Sequence, residues 1–250
     1  MYLIHMRPEQ VQDAVARNVP ILMPAGCVEY HGPHLPIGTD FLIANSICVA
    51  AEKRVECVMA PPLQFAPTLD WAAGPEEGEA DFDPEAFFQY ARESLRRIAA
   101  MGFRRIYILQ HHQGPDGLEV LCLKRAAGEV IRETVKEWGA GWGRGPGDEL
   151  PNPDIFGWIR IAYLDSFSEY PGPTEGQVPV GHAGKGETQL IMASLPETVR
   201  MEALATLDRL PIWLEDADQA DAEEGRQWLE FCIEGWVKEL GRGIEPAGDR

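Results

Sequence analysis

Along this 250-residue chain, short and nearly continuous apolar runs alternate with longer stretches whose apolar residues return every three or four positions. The first rhythm is that of buried strands and the second that of amphipathic helices. Pro8–Asn18 reads as a helix with proline in its first turn, and Val19–Gly26 (VPILMPAG) as a short buried strand. Thr39–Arg54 reads as a helix begun by Thr39 and Asp40, and Glu56–Phe65 (ECVMAPPLQF) as a second strand ending in prolines. Asp83–Gly102 is strongly amphipathic, with Asp83 or Pro84 at its start and Gly102 as its stop. Arg104–Gln110 is a third strand, Asp116–Trp138 a long helix, Gly139–Asp154 a glycine-rich loop and Trp158–Phe167 a fourth strand. Gly181–Thr188 (GHAGKGET) opens a further helix. In Arg226–Leu240 the residues Leu229, Cys232, Ile233, Trp236 and Leu240 share one face, which covers the sheet or makes a subunit contact. Such alternation builds an α/β fold with a mostly parallel sheet and helices on both faces. No linker composition divides residues 1–250, which read as one domain.

Parallel sheets collect ligands at the carboxyl ends of their strands. Three polar clusters fall there: Gly26–Asp40 (GCVEYHGPHLPIGTD) after the first strand, Gln110–Gly117 (QHHQGPDG) after the third, and Gly181–Thr188 beyond the fourth. They contain five of the six histidines, His31, His34, His111, His112 and His182, leaving only His5 outside. Imidazole and carboxylate together are ligands for Zn²⁺ and Mn²⁺. Glu29 and His31 form an E-x-H pair able to aim two ligands from one segment. Asp40, after a Pro/Gly turn, can return and bridge two ions. Two ions about 3.5–4 Å apart can share a hydroxide and polarise a carbonyl. His182 is placed to act as general acid/base.

Composition narrows the partners. Forty acidic against twenty-two basic side chains give a net charge of −18, which argues against a nucleic-acid partner and against a strongly anionic substrate. The acidic stretch Glu215–Gly225 reads as a solvated helix start or loop. No apolar run approaches a membrane span, and Met1–Gln10 has no basic-then-apolar leader pattern. Five dispersed cysteines without a CxxC pair fit reduced thiols in a cytoplasmic protein.

Pro24–Asp40 (PAGCVEYHGPHLPIGTD) resembles the creatininase-family signature P-x-G-x-x-E-x-H-G-x-H-L-P-x-x-T-D. MGFRRIYILQHHQG is similar to the family's second motif, a strand ending in N-G-H-G-G-N. HAGKGETQLIMASLPETV is similar to its third, H-A-G-x-x-E-T-S followed by P-x-x-V. The resemblance implies a three-layer α/β/α sandwich, two Zn²⁺ and/or Mn²⁺ ions per chain, and a homo-oligomer, often a hexamer. It implies Glu29, His31, Asp40, His112 and Glu187 as metal ligands, with Asp40 bridging, and His182 in proton transfer. Glu187 takes the place of a second-motif glutamate whose position here is Gly114.

The activity implied is attack by a metal-bound hydroxide on the carbonyl of a small cyclic amide or related C–N substrate. Departures concentrate around the substrate. His111 and Gln113 stand where relatives have glycines, and together with His34, Trp71 and Tyr170 they are the expected substrate contacts. Gly/Pro-rich Asp165–Gly184 is a candidate lid or a passive loop. Two alternatives stay open: ring opening of an inositol-derived ketone by C–C cleavage, and a non-catalytic metal-binding protein on a hydrolase scaffold. The last should have lost a ligand, and all five positions are occupied.

Overall fold

A computed structural model describes residues 1–147, 154–174, 178 and 181–245. Strands β1 (Ile21–Ala25), β2 (Val58–Met59), β3 (Ile106–Gln110) and β4 (Ile159–Ala162) form one parallel sheet in the order β2–β1–β3–β4. Ile21 stands opposite both Val58 and Ile106, and Ile106 opposite Ile159. The α-helices among the described residues are α1 (Pro8–Ala16), α2 (Thr39–Glu52), α3 (Pro84–Ala100), α4 (Leu118–Trp138), α5 (Lys185–Ser194) and α6 (Ala222–Gly241).

The period-two geometry of the strands divides the core into two layers. Ile21, Met23 and Ala25 of β1 and Ile106 and Ile108 of β3 pack with residues of α1, α3 and α4, including Ala14, Phe87, Phe88, Leu123 and Ala126. Leu22, Tyr107 and Leu109 face the opposite layer with Ile43, Ile47, Leu190, Trp228 and Trp236 of α2, α5 and α6. The result is the expected three-layer α/β/α sandwich.

The helices begin where their caps allow. The Asp83 side chain accepts the Ala86 N–H with Pro84 following it, and α3 then turns Phe87, Phe88, Ala91, Leu95 and Ile98 inward. Burying each phenylalanine contributes about 1.5–3 kcal/mol. Asp221 accepts from the N–H groups of Glu223 and Glu224, so the acidic stretch ends as the cap of α6. The α6 face of Leu229, Cys232, Ile233, Trp236 and Leu240 is buried against the sheet, which answers the choice between core and subunit contact.

Two strands are shorter than their apolar runs. The second keeps only Val58–Met59, although its backbone still follows β1: the N–H groups of Ala60 and Leu63 reach the carbonyls of Leu22 and Pro24. Pro61 and Pro62 have no N–H to continue a regular ladder. The fourth stops at Ala162 because the Tyr163 N–H turns to the Ser166 hydroxyl and the chain enters a turn. The glycine-rich segment 139–154 and the candidate lid 165–184 lie partly outside the described residues.

The strand order also fixes the place for a ligand. The chain leaves β1 for β2 on one side and returns to β3 on the other, so the loops after β1 and β3 part at a topological switch point.

Candidate metal centre

At that point four segments deliver their polar side chains. The loop after β1 carries Cys27, Glu29, His31 and His34, and the first turn of α2 carries Asp40. The loop after β3 carries His111, His112 and Gln113, and the first turn of α5 carries Glu187. Gly26 makes the convergence possible. A Cβ there would lie 2.5 Å from the Phe41 nitrogen and 2.6 Å from its Cα, so only glycine lets the loop lie directly on α2 beside Asp40. Both Asp40 and Glu187 sit at helix N-termini, where the helix dipole favours a carboxylate. Glu187 Oε2 also accepts the Ala183 N–H at 2.6 Å.

The carboxylates are deeply buried: Glu29 is 1 % exposed, Asp40 2 % and Glu187 3 %. Asp40 faces two ways. Its Oδ2 is 2.8 Å from His112 Nδ1, which is also 3.3 Å from Glu29 Oε2. Its Oδ1 is 3.4 Å from His31 Nε2, which is equally 3.4 Å from Glu187 Oε2. Each side is a compact group of possible metal donors: Cys27, Glu29, Asp40 and His112 on one, His31, Asp40 and Glu187 on the other.

Three histidines are oriented alike. His112 Nε2 donates to the Pro67 carbonyl at 3.0 Å, His31 Nδ1 to the Glu29 carbonyl at 3.0 Å, and His182 Nε2 to the Tyr30 carbonyl at 2.8 Å. These tautomers are assigned from the hydrogen-bond network. A backbone carbonyl on one ring nitrogen turns the other toward the cluster, the arrangement that orients imidazole ligands on metals. His182 Nδ1 faces Glu29 Oε2 at 3.6 Å, and its ring lies 4.5 Å from Trp71 and 4.8 Å from Trp213.

Charge is the physical constraint on this cluster. Burial alone would strip the proton from His31 and His112, but the neighbouring carboxylates override it. Asp40 and Glu187 raise His31 well above the ordinary imidazole range, and Asp40 and Glu29 push His112 up to about 11. Conversely, Asp40 lies well below the usual carboxylate range despite its burial, and Glu187 falls to about 2, each held down chiefly by His31. Among the described residues no lysine or arginine lines the cavity. Cationic charge is therefore required here, and protons on the imidazoles supply it in the metal-free chain. Divalent ions fit the same place, because buried charge must be paired or coordinated. Glu29 Oε1 and His31 Nε2 are fully buried without hydrogen-bond partners, as metal-directed atoms would be.

The remaining expected residues fall in different places. Trp71, His111 and Gln113 line a cavity of about 230 Å³ above the cluster, with Tyr163 and His182. His111 Nε2 bonds Glu187 Oε1 at 2.8 Å, while its Nδ1 has no hydrogen-bond partner. Both ends of the Gln113 amide are engaged, donating to the Thr68 carbonyl and accepting the Leu118 N–H. The structure does not bring His34 or Tyr170 into the cavity wall. His34 is buried with its Nε2 against the Thr188 hydroxyl at 2.9 Å, where burial holds it neutral with a pKa of about 4. Tyr170 packs on Phe231 of α6 and bonds Asp165 and the Val178 N–H. Both tyrosine and histidine are consumed by the scaffold there.

Sequence reading passed over two neighbours of the cluster. Cys27 Sγ lies 3.0 Å from Asp40 Oδ2 and 3.2 Å from His112 Nδ1. Its signal is parity, because in an extended segment Cys27, Glu29 and His31 share a side. Glu119 is fully buried in the first turn of α4 with neither carboxylate oxygen hydrogen-bonded. Burial pushes it up to about 7, against the attraction of His112 and His111 and with repulsion from Asp40 and Glu29. Its signal was also periodic: Glu119, Cys122, Leu123, Ala126 and Val130 form one buried stripe, and an acid inside such a stripe has no solvent to face.

An α/β/α sandwich with a buried carboxylate–imidazole centre at its switch point defines this protein as a metal-dependent hydrolase. The sequence model of the creatininase family, described as creatinine amidohydrolase, matches residues 5–240, and the chain belongs to that family. It is 22% identical to the creatinine amidohydrolase of Pseudomonas putida, over 90% of each chain. It is 26% identical to the mycofactocin precursor peptide peptidase of Mycobacterium tuberculosis (strain ATCC 25618 / H37Rv), over 91% of this chain and 87% of that one. A solved mutant creatininase of Zn-Zn type shares its fold with a TM-score of 0.74 and 19% identity, covering 98% of both chains. Among the described residues no helix is long and apolar enough to cross a membrane.

Proposed function

We propose that the chain is a dinuclear amidohydrolase that opens a small cyclic amide or related C–N bond. The observation that carries this reading is the two-sided Asp40, whose oxygens belong to two separate donor groups. Glu29, Asp40 and His112 would hold one divalent ion, and His31, Asp40 and Glu187 the other. Mixed imidazole and carboxylate donors suit Zn²⁺ and Mn²⁺. When bound, the ions would polarise a carbonyl and lower the pKa of a nucleophilic water.

The chain's own residues supply the remainder. His182 is pushed below its usual range by burial and by His31, so it is neutral at pH 7 with Nδ1 as acceptor. It would take a proton at Nδ1 and return it to the leaving nitrogen. Trp71 would close one side of the cavity and exclude water. A cavity of about 230 Å³ is small beside the pockets of drug-sized ligands, which supports a small substrate over a peptide. The absence of lysine and arginine among the described residues of its walls favours a neutral one. Engagement of both ends of the Gln113 amide removes one support for a polyol ketone.

The test is metal analysis of protein purified without chelator, paired with a screen of cyclic amides against cyclic polyol ketones under Zn²⁺ and Mn²⁺. About two ions per chain and amide turnover are expected. Fewer than one ion, with no activity regained on adding either metal, would refute the reading. His182→Ala should keep its metal and lose about 10²–10⁴-fold in kcat. Near-normal turnover would remove His182 from proton transfer.

A further inference from the structure

Among the described residues, the Glu29 side of the centre gathers four possible donors and the His31 side three. Cys27 Sγ is buried, 3.0 Å from Asp40 Oδ2, 3.2 Å from His112 Nδ1 and 3.9 Å from Glu29 Oε2. His112 Nδ1 is in turn 2.8 Å from Asp40 and 3.3 Å from Glu29. A tetrahedral zinc with bonds of about 2.3 Å to sulfur and 2.0–2.1 Å to nitrogen and oxygen has ligand–ligand edges of about 3.3–3.6 Å. The five separations here, 2.8 to 3.9 Å, bracket that range. The Glu29 carboxylate adds an independent observation, since its Oε1 is fully buried without a hydrogen-bond partner.

We propose that Cys27 is a metal ligand, so that this position presents one sulfur, one imidazole and two carboxylates. The inference rests on the dinuclear reading and deepens it. A thiolate is a soft donor and selects zinc over manganese. The His31, Asp40 and Glu187 position has only nitrogen and oxygen donors, and carboxylates of both positions line the cavity. The two positions therefore differ in character. The Cys27 position is filled by four protein ligands, zinc-selective and slow to exchange. The other has three protein ligands, accepts zinc or manganese, and keeps coordination open toward substrate. A merely hydrogen-bonding role, with the thiol donating to Asp40, would be served equally by serine.

Chelator-treated protein titrated with Co²⁺ separates these roles, with metal stoichiometry and absorption read together. The expected result is two ions bound, with a near-ultraviolet sulfur-to-cobalt charge-transfer band in the native chain. Cys27→Ser should abolish that band and weaken one of the two zinc ions at least about tenfold. Two bound cobalt ions without the band, or a band that survives Cys27→Ser, would overturn the thiolate ligand and leave the dinuclear centre standing. Failure of native protein to bind more than one cobalt would instead overturn the dinuclear reading. X-ray absorption of the native zinc form serves if Cys27→Ser does not fold. One sulfur at about 2.3 Å is expected, and a shell of nitrogen and oxygen alone overturns the assignment.

Discussion

Replacing Glu119 by glutamine should make the metal-free protein more stable relative to the native chain as pH rises. Glu119 is fully buried, has no hydrogen-bond partner for either oxygen, and is pushed up by burial from its ordinary 4.5 to about 7 in the fold. Between those values the unfolded chain has released this proton and the folded chain still holds it. Folding is then penalised increasingly as pH rises from 4.5 to 7, and the penalty is constant above. The rise from 4.5 to about 7 corresponds to about 3 kcal/mol, of which about 2.5 kcal/mol develops between pH 5 and 8. Glutamine carries no such titration.

The assay is urea unfolding of chelator-treated native protein and Glu119→Gln at intervals from pH 5 to 8. Any constant offset from packing the amide drops out, because only the pH dependence of the difference is read. That difference should climb by about 2–3 kcal/mol in favour of Glu119→Gln, most steeply near pH 6. A difference that stays flat, or that climbs in favour of the native chain, would refute the argument that Glu119 is held protonated by burial beside the cluster. Adding Zn²⁺ should shrink the pH dependence, because nearby cations favour the ionised carboxylate.

Three further outcomes follow from the same geometry. Asp40→Ala removes the carboxylate common to both donor groups, so metal analysis should fall from about two ions per chain to none, with activity lost alongside; retention of both ions would contradict a bridge. Gly225→Ala places a Cβ 2.0 Å from the Gln189 carbonyl oxygen where α6 crosses α5, a backbone clash that should cost about 3 kcal/mol and lower Tm by about 6–12 °C in a calorimeter. Trp71→Ala removes the ring 4.5 Å from His182 and should lower kcat/KM about 2- to 10-fold without changing bound metal; unchanged kinetics would place Trp71 outside the working pocket.

Much of the fold was legible because the signals are local. Hydrophobic periodicity, Asp83 and Asp221 as caps, and apolar runs of strand length act within a few residues, and the helices and strands formed where they pointed. The misjudged ends share that explanation. Pro61 and Pro62 limit the second strand, and the Tyr163–Ser166 turn stops the fourth, by backbone bonding that hydropathy does not register. The candidate ligands were legible for another reason: His31 and His112 are two of only six histidines, and with Glu29, Asp40 and Glu187 they fall in the polar clusters beyond strand ends and at helix starts.

The chain by itself thus determined the layers, the family and the residue types gathered at one edge of the sheet. Only the tertiary structure decided how those residues divide. It sent His34 and Tyr170 into scaffold contacts, engaged both ends of Gln113, set Asp40 between two donor groups, and drew Cys27 and Glu119 into the cluster's surroundings. The reason is distance. Side chains from the loops after β1 and β3 and from the first turns of α2 and α5 meet within a few ångströms across separations of up to 156 residues, from His31 to Glu187. Burial and charge at that meeting are set by packing between segments, which no local pattern records.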